Sequence, residues 1–469
     1  MLLIFSFFVA LLCLSAVAIK FTYGRLDVFE PLIPAIVTML SLFSARPLAM
    51  LVSGESHSYR SFDIQQHIDL ALVVCSLGVV AYLAGYFLSS RAPVPNPNIT
   101  TRNISSKRLR TISIIYIFLS LLLTFAYLGS NPIATLAVLS RGRSELIGEY
   151  ITVHSEYLFV APLLLSCTAT LLILGNKNKT LTLRKILLIC LLVSIPIAFF
   201  YLVGTRRFII PSLLVPLVSH FLMSGKRPKT LPLLLGIPIF LILSAIPHMR
   251  TEGAREQIGS FGDQLVFALT RGDIWKEIFL GADTEMLPAF AVEIKILNDY
   301  SDFFYGRAAF GDLVIAPIPS ALFPKPNSAR DEMLLMAFGS KCNSGPGGLC
   351  PDFSIIGTLY QDFWVPGVII GMFLFGFLSR KIWLSYRAQP NNPFRICAAA
   401  VTTVFTLIII RAGFMPAFQW SLYFFLPIVV GLYLSRKKST AHMRAAYRSS
   451  HYTRSGPTAN HLSLTHKGD

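Results

Sequence analysis

The sequence is poor in charge, and acidic residues are especially few. Charged side chains make up 14% of the 469 residues, with 41 Lys or Arg against 24 Asp or Glu, whereas a soluble domain has about 25% charged residues. Hydrophobic residues make up 54% and occur in runs long enough to cross a bilayer core of ~30 Å as helices of about 20 residues. These runs do not alternate with polar residues, which excludes the spans of a β-barrel. The composition therefore predicts an all-α, polytopic membrane helical bundle.

The sequence also lacks the short motifs of common soluble enzymes. It has no HExxH, no Walker loop, no GxSxG and no paired-cysteine zinc motif, so it offers no sign of the usual zinc hydrolases, P-loop enzymes or α/β-hydrolases. We therefore expect neither a cofactor nor a metal site. Five of the seven cysteines lie in apolar runs, where cysteine behaves as a small hydrophobic residue.

The other two cysteines flank a polar segment. Seven residues, three of them glycine, separate Cys342 from Cys350. Disulfides form in oxidising compartments, so an outward-facing segment would allow this pair to close a ring. Two free thiols fit the sequence equally well.

About eleven apolar runs predict about eleven transmembrane helices. The first ends in Ala16-Val17-Ala18, a pattern like a signal-peptidase site, but no Lys or Arg precedes it and we interpret it as a retained helix. The predicted spans lie near 2–18, 30–46, 68–89, 111–129, 157–175, 185–203, 208–223, 231–247, 354–379, 396–411 and 418–435.

The basic connections between these spans predict the orientation. Five segments rich in Lys and Arg are each two spans apart, so all five fall on one side, which the positive-inside rule places in the cytoplasm. The N-terminus is then outside and the C-terminus cytoplasmic. Most of the net charge of +17 lies in these cytoplasmic segments, where it faces anionic lipid headgroups. No nucleic-acid partner is therefore expected. The five segments are 90–110, 176–185, 224–230, 380–395 and the start of the tail at 436.

The chain divides into four predicted regions: 1–247 with about eight helices, a large extracytoplasmic loop at 248–353, about three helices in 354–435, and a basic, disordered cytoplasmic tail at 436–469. Between residues 248 and 352 there are nine Lys or Arg and fourteen Asp or Glu, a net charge of −5. Within this loop, 285–297 could form an amphipathic helix on the membrane interface or a helix packed inside the loop, and the sequence does not decide between them.

The candidate functional residues are cations predicted on the outward side, against the positive-inside bias. Charges at or within membrane boundaries are functional candidates by default. Arginine binds phosphate in a bidentate manner and keeps its charge, so a set of outward arginines suits a lipid-linked pyrophosphate. Snorkelling arginines that contact lipid phosphates are the alternative for any single one. The set is Arg141, Arg143, Arg206, Arg207, Arg250, Arg255 and Arg411, with His248 as a general base or an interfacial histidine.

Three segments resemble the bacterial oligosaccharide repeat-unit polymerases, the O-antigen polymerase family. Gly204-Thr205-Arg206 before an apolar span resembles that family's Gly-x-Arg element. A Pro-rich segment from Ile318 to Pro326, which includes Lys325, and the span entry from Ser354 to Val368 are also similar. Where that family often has Asn-Phe-Gly at the entry, this chain has Asp362-Phe363-Trp364.

The resemblance implies a membrane glycosyltransferase at the outer face of the cytoplasmic membrane. A growing chain would leave its polyprenyl pyrophosphate and transfer to a sugar hydroxyl of the next lipid-linked unit, without nucleotide sugar or metal. The resemblance points to Arg206 first and Arg250 second as catalytic residues. Arg207, Arg255, Arg411, Arg141, Arg143, Lys325 and His248 would bind the substrate.

Three other functions are alternatives to the polymerase, and one of them, a non-enzymatic scaffold, leaves the outward arginines unexplained. A flippase for the same lipid-linked sugar would favour a polar central path and paired halves, and the sequence has no internal repeat. A glycosyltransferase that uses polyprenyl-phosphate sugars would favour acids in its first outer loop, whereas the first loop here, with Asp27 and Glu30, is predicted to face inward. Expected partners are the lipid-linked oligosaccharide and membrane lipids, with a chain-length regulator and a flippase as further candidates.

Overall fold

The computed structural model describes a large part of the chain, and helices dominate it. A short antiparallel hairpin, β1 (Ser58–Tyr59) with β2 (Phe62–Asp63), is the one sheet among the described residues. The described residues are 2–22, 27–54, 58–59, 62–89, 104–129, 132, 135, 156–176, 181–203, 206–226, 280, 284–299, 302–311, 329–339 and 353–437.

Twelve helices are numbered here in chain order. A π-helical turn, Ser41–Ala45, interrupts the second of them, and another, Arg307–Gly311, precedes the ninth. The helices are α1 (Leu2–Thr22), α2 (Leu32–Ser53), α3 (Gln65–Leu88), α4 (Ser106–Leu128), α5 (Leu163–Leu174), α6 (Leu183–Val203), α7 (Arg206–Ser224), α8 (Met286–Asp299), α9 (Ala329–Phe338), α10 (Ile355–Ala388), α11 (Pro393–Ala412) and α12 (Phe414–Leu434).

Nine of the described helices are long and apolar enough to cross a membrane: α1 to α4, α6, α7 and α10 to α12. The apolar helix α5 is shorter, with 12 residues. Together these ten helices coincide with ten of the eleven predicted spans, and the eleventh, 231–247, lies outside the described residues. The chain is an all-helical, multi-pass membrane protein, and its exact number of spans stays a prediction.

One end of the bundle, the Glu30 end, is held together by a buried carboxylate. Glu30, just before α2, accepts from Lys20 Nζ of α1 at 2.5 Å, from the Tyr86 hydroxyl of α3 at 2.5 Å and from Arg380 Nη1 of α10 at 2.6 Å. Removing one partner of a buried ion pair costs about 3–5 kcal/mol because a charge is left unpaired. This cluster therefore fixes the ends of four segments to one another.

The helices α3 and α10 run parallel. Gly78 of α3 faces Val368 of α10, and Gly85, two turns later, faces Phe373. The same direction along both helices means that each begins at the end opposite Glu30. We name this the Glu293 end, because helix α8 with its Glu293 packs there against α3 and α10.

The end of α7 lies beside the late part of α10, where the Tyr386 hydroxyl donates to the Leu222 carbonyl at 3.1 Å. Thus α7 finishes at the Glu30 end, whereas α10 begins at the Glu293 end. The predicted span 231–247 lies between α7 and α10 in the sequence, outside the described residues. Which membrane face each end meets stays a prediction.

Two glycines bring α3 and α10 into backbone contact. A Cβ on Gly85 would collide with the carbonyl of Phe373, and one on Gly376 would collide with the carbonyl of Tyr82. In a bilayer, lipid tails are as apolar as leucine, so helices associate through close packing, which small residues permit. The contact between α3 and α10 depends on both positions remaining glycine.

Helix α8 decides between the two interpretations of 285–297. All residues from Met286 to Leu297 are buried, apart from Lys295, which is half-buried. A helix lying on the interface would leave one face against lipid. The helix is therefore packed inside the protein, and the interfacial interpretation is wrong.

Helix α10 is broken near its start. Ser354 caps it by accepting from the Gly357 amide at 3.2 Å, but Phe363 and Trp364 depart from helical geometry. Pro366 explains the break, because proline has no amide hydrogen to donate to residue 362 and its ring clashes with that carbonyl. The break separates a short buried entry helix from the long spanning part.

We expect Gly376→Ala to destabilise the protein by about 1–3 kcal/mol, the usual cost of overpacking, because the added methyl meets backbone that cannot move aside. Thermal unfolding of the detergent-purified protein measures this change. Gly431→Ala is the matched control: its methyl meets only the Leu171 side chain, which can turn away. Equal losses for the two variants would contradict the backbone contact.

Candidate functional site at the Glu293 end

Two of the predicted outward cations have described side chains, and both lie at the Glu293 end. Arg207 is in the first turn of α7 and Arg411 is in the last turn of α11. The Arg207 guanidinium stacks on the indole of Trp420 in α12, 4.5 Å from the ring centroid. Beyond Arg411, Gly413 packs against Thr358 of the α10 entry. The two arginines are thus at the end of the bundle where α8 docks.

The remaining predicted site residues are not placed by the structure. Arg206 begins α7 directly before Arg207, and its side chain is not described. The following predicted residues lie outside the described part of the chain: Arg141, Arg143, His248, Arg250, Arg255, Lys325, Cys342 and Cys350. Their roles, and the disulfide, stay predictions.

A buried arginine at this end was missed by the sequence reasoning. Arg46 of α2 is buried, and its Nη1 donates to the Thr284 hydroxyl at 3.2 Å. The next residue, Glu285, accepts from the Tyr59 hydroxyl at 2.7 Å. These contacts attach the start of α8 to α2 and to the β-hairpin. The sequence did contain a signal for Arg46. This arginine ends the predicted span 30–46 on the side predicted to face outward, which is the criterion that selected the other arginines.

Glu293 is the acid that the structure singles out among the fourteen of the loop. Its side chain is 0% exposed, and neither carboxyl oxygen has a hydrogen-bond partner among the described residues. It lies directly over Gly357, where a Cβ would be 2.7 Å from Oε2. Burial raises the pKa of Glu293 well above its ordinary value, and the nearby Gln361 amide offsets part of the shift. Burial therefore favours the protonated, neutral form of this carboxyl.

Another buried acid, Asp362, accepts hydrogen bonds from backbone amides. Its two oxygens accept from the amides of Ala308 at 2.8 Å and Ala309 at 2.7 Å, and a carboxylate bound in this way is a strong, charge-assisted acceptor. It holds the π-helical turn against the break in α10. Sequence alone gave no means of ranking either acid, because neither role can be seen without the helix packing.

The chemistry available here is recognition of an anion by arginine. Arg207 keeps its charge at any physiological pH, and stacking on an indole orients a guanidinium without using its donors. Glu293 is enclosed, with its neutral form favoured by burial, and Asp362 is held by amides. Neither Glu293 nor Asp362 is therefore placed to take a proton from a bound substrate.

Comparison with known proteins finds a protein family that the chain matches. A family model described as O-antigen polysaccharide polymerase Wzy matches residues 2–287, which are α1 to α7 and the first residues of α8. No curated protein matches the chain, and no solved structure matches it. The matched region contains Arg207 and ends before Glu293.

We expect the free energy of unfolding to fall as pH rises, and to fall further in the parent protein than in Glu293→Gln. Above about pH 4.3, the ordinary glutamic acid pKa, the unfolded chain releases this proton while the folded protein keeps it. Each pH unit in that window costs the fold up to about 1.4 kcal/mol. Thermal unfolding at pH 5 and pH 8 in detergent measures the difference. Parallel pH profiles for parent and variant would show that Glu293 does not titrate abnormally.

Proposed function

Because the matching model covers more than half of its residues, the chain belongs to the O-antigen polysaccharide polymerase Wzy family, and we propose that it is a glycosyltransferase of the bacterial inner membrane. The family works on lipid-linked oligosaccharide repeat units, and the protein is an O-antigen repeat-unit polymerase. The observation that carries the proposal is this match, together with two arginines at one end of a membrane bundle.

The proposed reaction takes place at the outer face of that membrane. The sugar bonded to pyrophosphate on one lipid-linked chain is attacked by a hydroxyl of the next unit, so that a glycosidic bond forms and the bond to the pyrophosphate breaks. The departing group is polyprenyl pyrophosphate, and the hydroxyl proton leaves with a base that is not yet assigned. Fixed cations accelerate such a step because they stabilise negative charge that grows on the leaving group.

The arginines of the Glu293 end have this role in the proposal. Arg207 is exposed and stacked on Trp420, so its guanidinium can meet a pyrophosphate with part of its orientation already fixed. Arg411 is half-buried at the end of α11. We assign the leaving pyrophosphate to Arg206 and Arg250 first, with Arg207 and Arg411 as its further ligands.

The remaining predicted site residues complete the proposal. Arg141, Arg143, Arg255, Lys325 and His248 would bind the phosphates and sugars from the loops at this end. The large loop 248–353 would then face the periplasm, and the basic Glu30 end would face the cytoplasm. A chain-length regulator and a flippase would work beside the enzyme.

We expect Arg207→Ala in the native host to shorten or abolish the surface polysaccharide ladder on a gel while single repeat units persist. Losing one charge-assisted hydrogen bond of about 1.5–3 kcal/mol slows the reaction roughly 10- to 150-fold. Arg207→Lys keeps the charge but loses the planar donors, and an intermediate ladder is expected.

Arg184→Ala is the matched control. Arg184 is an exposed arginine near the start of α6, at the end away from the proposed site, and its loss should leave the ladder unchanged. An unchanged ladder in Arg207→Ala would remove Arg207 from the site. Repeat units trapped on the cytoplasmic leaflet would indicate a flippase instead of a polymerase.

A further inference from the structure

Two bulky residues at the Glu293 end have strained backbones. Tyr305 has φ of 48° and Trp364 has φ of 57°, and they are the only non-glycine residues with positive φ in the described part of the chain. Trp364 also has ψ of −150°, near a region that is essentially reserved for glycine. Such strain destabilises the fold and clusters at functional sites.

The strained residues belong to two segments that hold each other in place. The Phe304 amide, next to Tyr305, donates to the Gln361 carbonyl at 2.9 Å. Asp362, two residues before Trp364, accepts from the amides of Ala308 and Ala309. The surrounding hydrogen bonds therefore fix the strained conformation at both positions.

The aromatic rings at and beside the strained positions are exposed on the surface of the protein instead of buried. Tyr305 is 74% exposed and Trp364 is 54% exposed, and Phe310 and Phe363 beside them are also exposed. We call these four residues the aromatic patch. Had hydrophobic packing been the reason for the rings, burial would be the expected outcome.

The aromatic patch lies among charges, unlike the apolar faces of the bundle. Arg307 and Glu332 form a bidentate ion pair at 2.8 and 2.9 Å, and each is about one-third exposed. Asp302 is exposed on the same segment. In contrast, the exposed faces of the spanning helices consist of residues such as Leu11 and Phe118. This setting favours water over lipid around the rings.

The patch is continuous with the proposed arginine site. Phe310 contacts Phe414, with ring centroids 6.3 Å apart. Phe414 begins α12 and is separated from Arg411 by two residues. A ligand whose phosphate reaches the arginines would therefore have its sugars within reach of the rings.

We propose that the aromatic patch is a sugar-binding subsite, where Trp364 and Tyr305 stack against the apolar face of a sugar ring of the oligosaccharide repeat unit. A sugar ring has an apolar C–H face and a rim of hydroxyls, so it matches flat aromatic rings bordered by charged donors and acceptors. This inference rests on the proposed polymerase function for its choice of ligand.

A binding experiment tests the subsite without turnover. The probe is a single repeat unit cut from the host's own surface polysaccharide, free of lipid and pyrophosphate, and it is added to the full-length protein in nanodiscs. We expect it to change the tryptophan fluorescence of the parent, and Trp364→Gly to weaken its binding about 3- to 10-fold. Trp364→Phe, which keeps an aromatic face, should retain most of the affinity.

The glycine variant separates function from folding, because glycine relieves the strain at this position. Trp364→Gly should unfold at the same or a higher temperature than the parent while its polymerisation requires a higher concentration of lipid-linked unit. Phe118→Ala, which removes an exposed ring from the lipid-facing part of α4, is the control and should leave binding and polymerisation unchanged.

Three outcomes would overturn the subsite. The first is that Trp364→Gly binds the probe as tightly as the parent does. The second is that Trp364→Leu binds it as tightly as the parent, which would mean that any apolar side chain is sufficient and that the patch contacts the membrane. Quenching of the Trp364 fluorescence by brominated lipid instead of acrylamide would also place the ring in the bilayer. If the probe binds in a Trp364-dependent manner but the parent makes no polymer, the subsite stands and the polymerase function fails.

Discussion

The backbone contact between α3 and α10 is the constraint on which the described architecture depends. Two helices can approach so closely only because Gly85 and Gly376 have no side chains. Their parallel direction then brings Tyr86 and Arg380 to the same carboxylate at one end. At the other end it places Gly78 of α3 beside the α10 entry. A shift between these helices would therefore disturb both ends at once.

The two ends handle charge in different ways. At the Glu30 end, the buried carboxylate of Glu30 is paired within the protein with Lys20 and Arg380. At the Glu293 end, burial favours the neutral form of Glu293, Asp362 is held by amides, and Arg207 is stacked on the indole of Trp420. On the proposed function, this is the end at which the lipid-linked anion binds.

Hydropathy was sufficient for the fold class, because lipid forces each long apolar run to satisfy its own backbone as a helix. It could not rank the acids, since the role of Glu293 depends on a contact with Gly357, 64 residues later. The two interpretations of 285–297 stayed open at the sequence level for a similar reason: an apolar face looks the same whether protein or lipid covers it. Arg46 ended a predicted span just as Arg411 did, but its contact with Thr284, 238 residues later, depends on the packing of α8 against α2.

The backbone at Trp364 has a geometry that glycine adopts without strain. Backbone strain alone would therefore favour glycine at this position, and on the proposed subsite the tryptophan contributes its ring to ligand binding. A lipid-linked oligosaccharide needs cations for its pyrophosphate, an apolar wall for its lipid and flat rings for its sugars. On the proposed function, the Glu293 end brings the cations and the flat rings together within one bundle end.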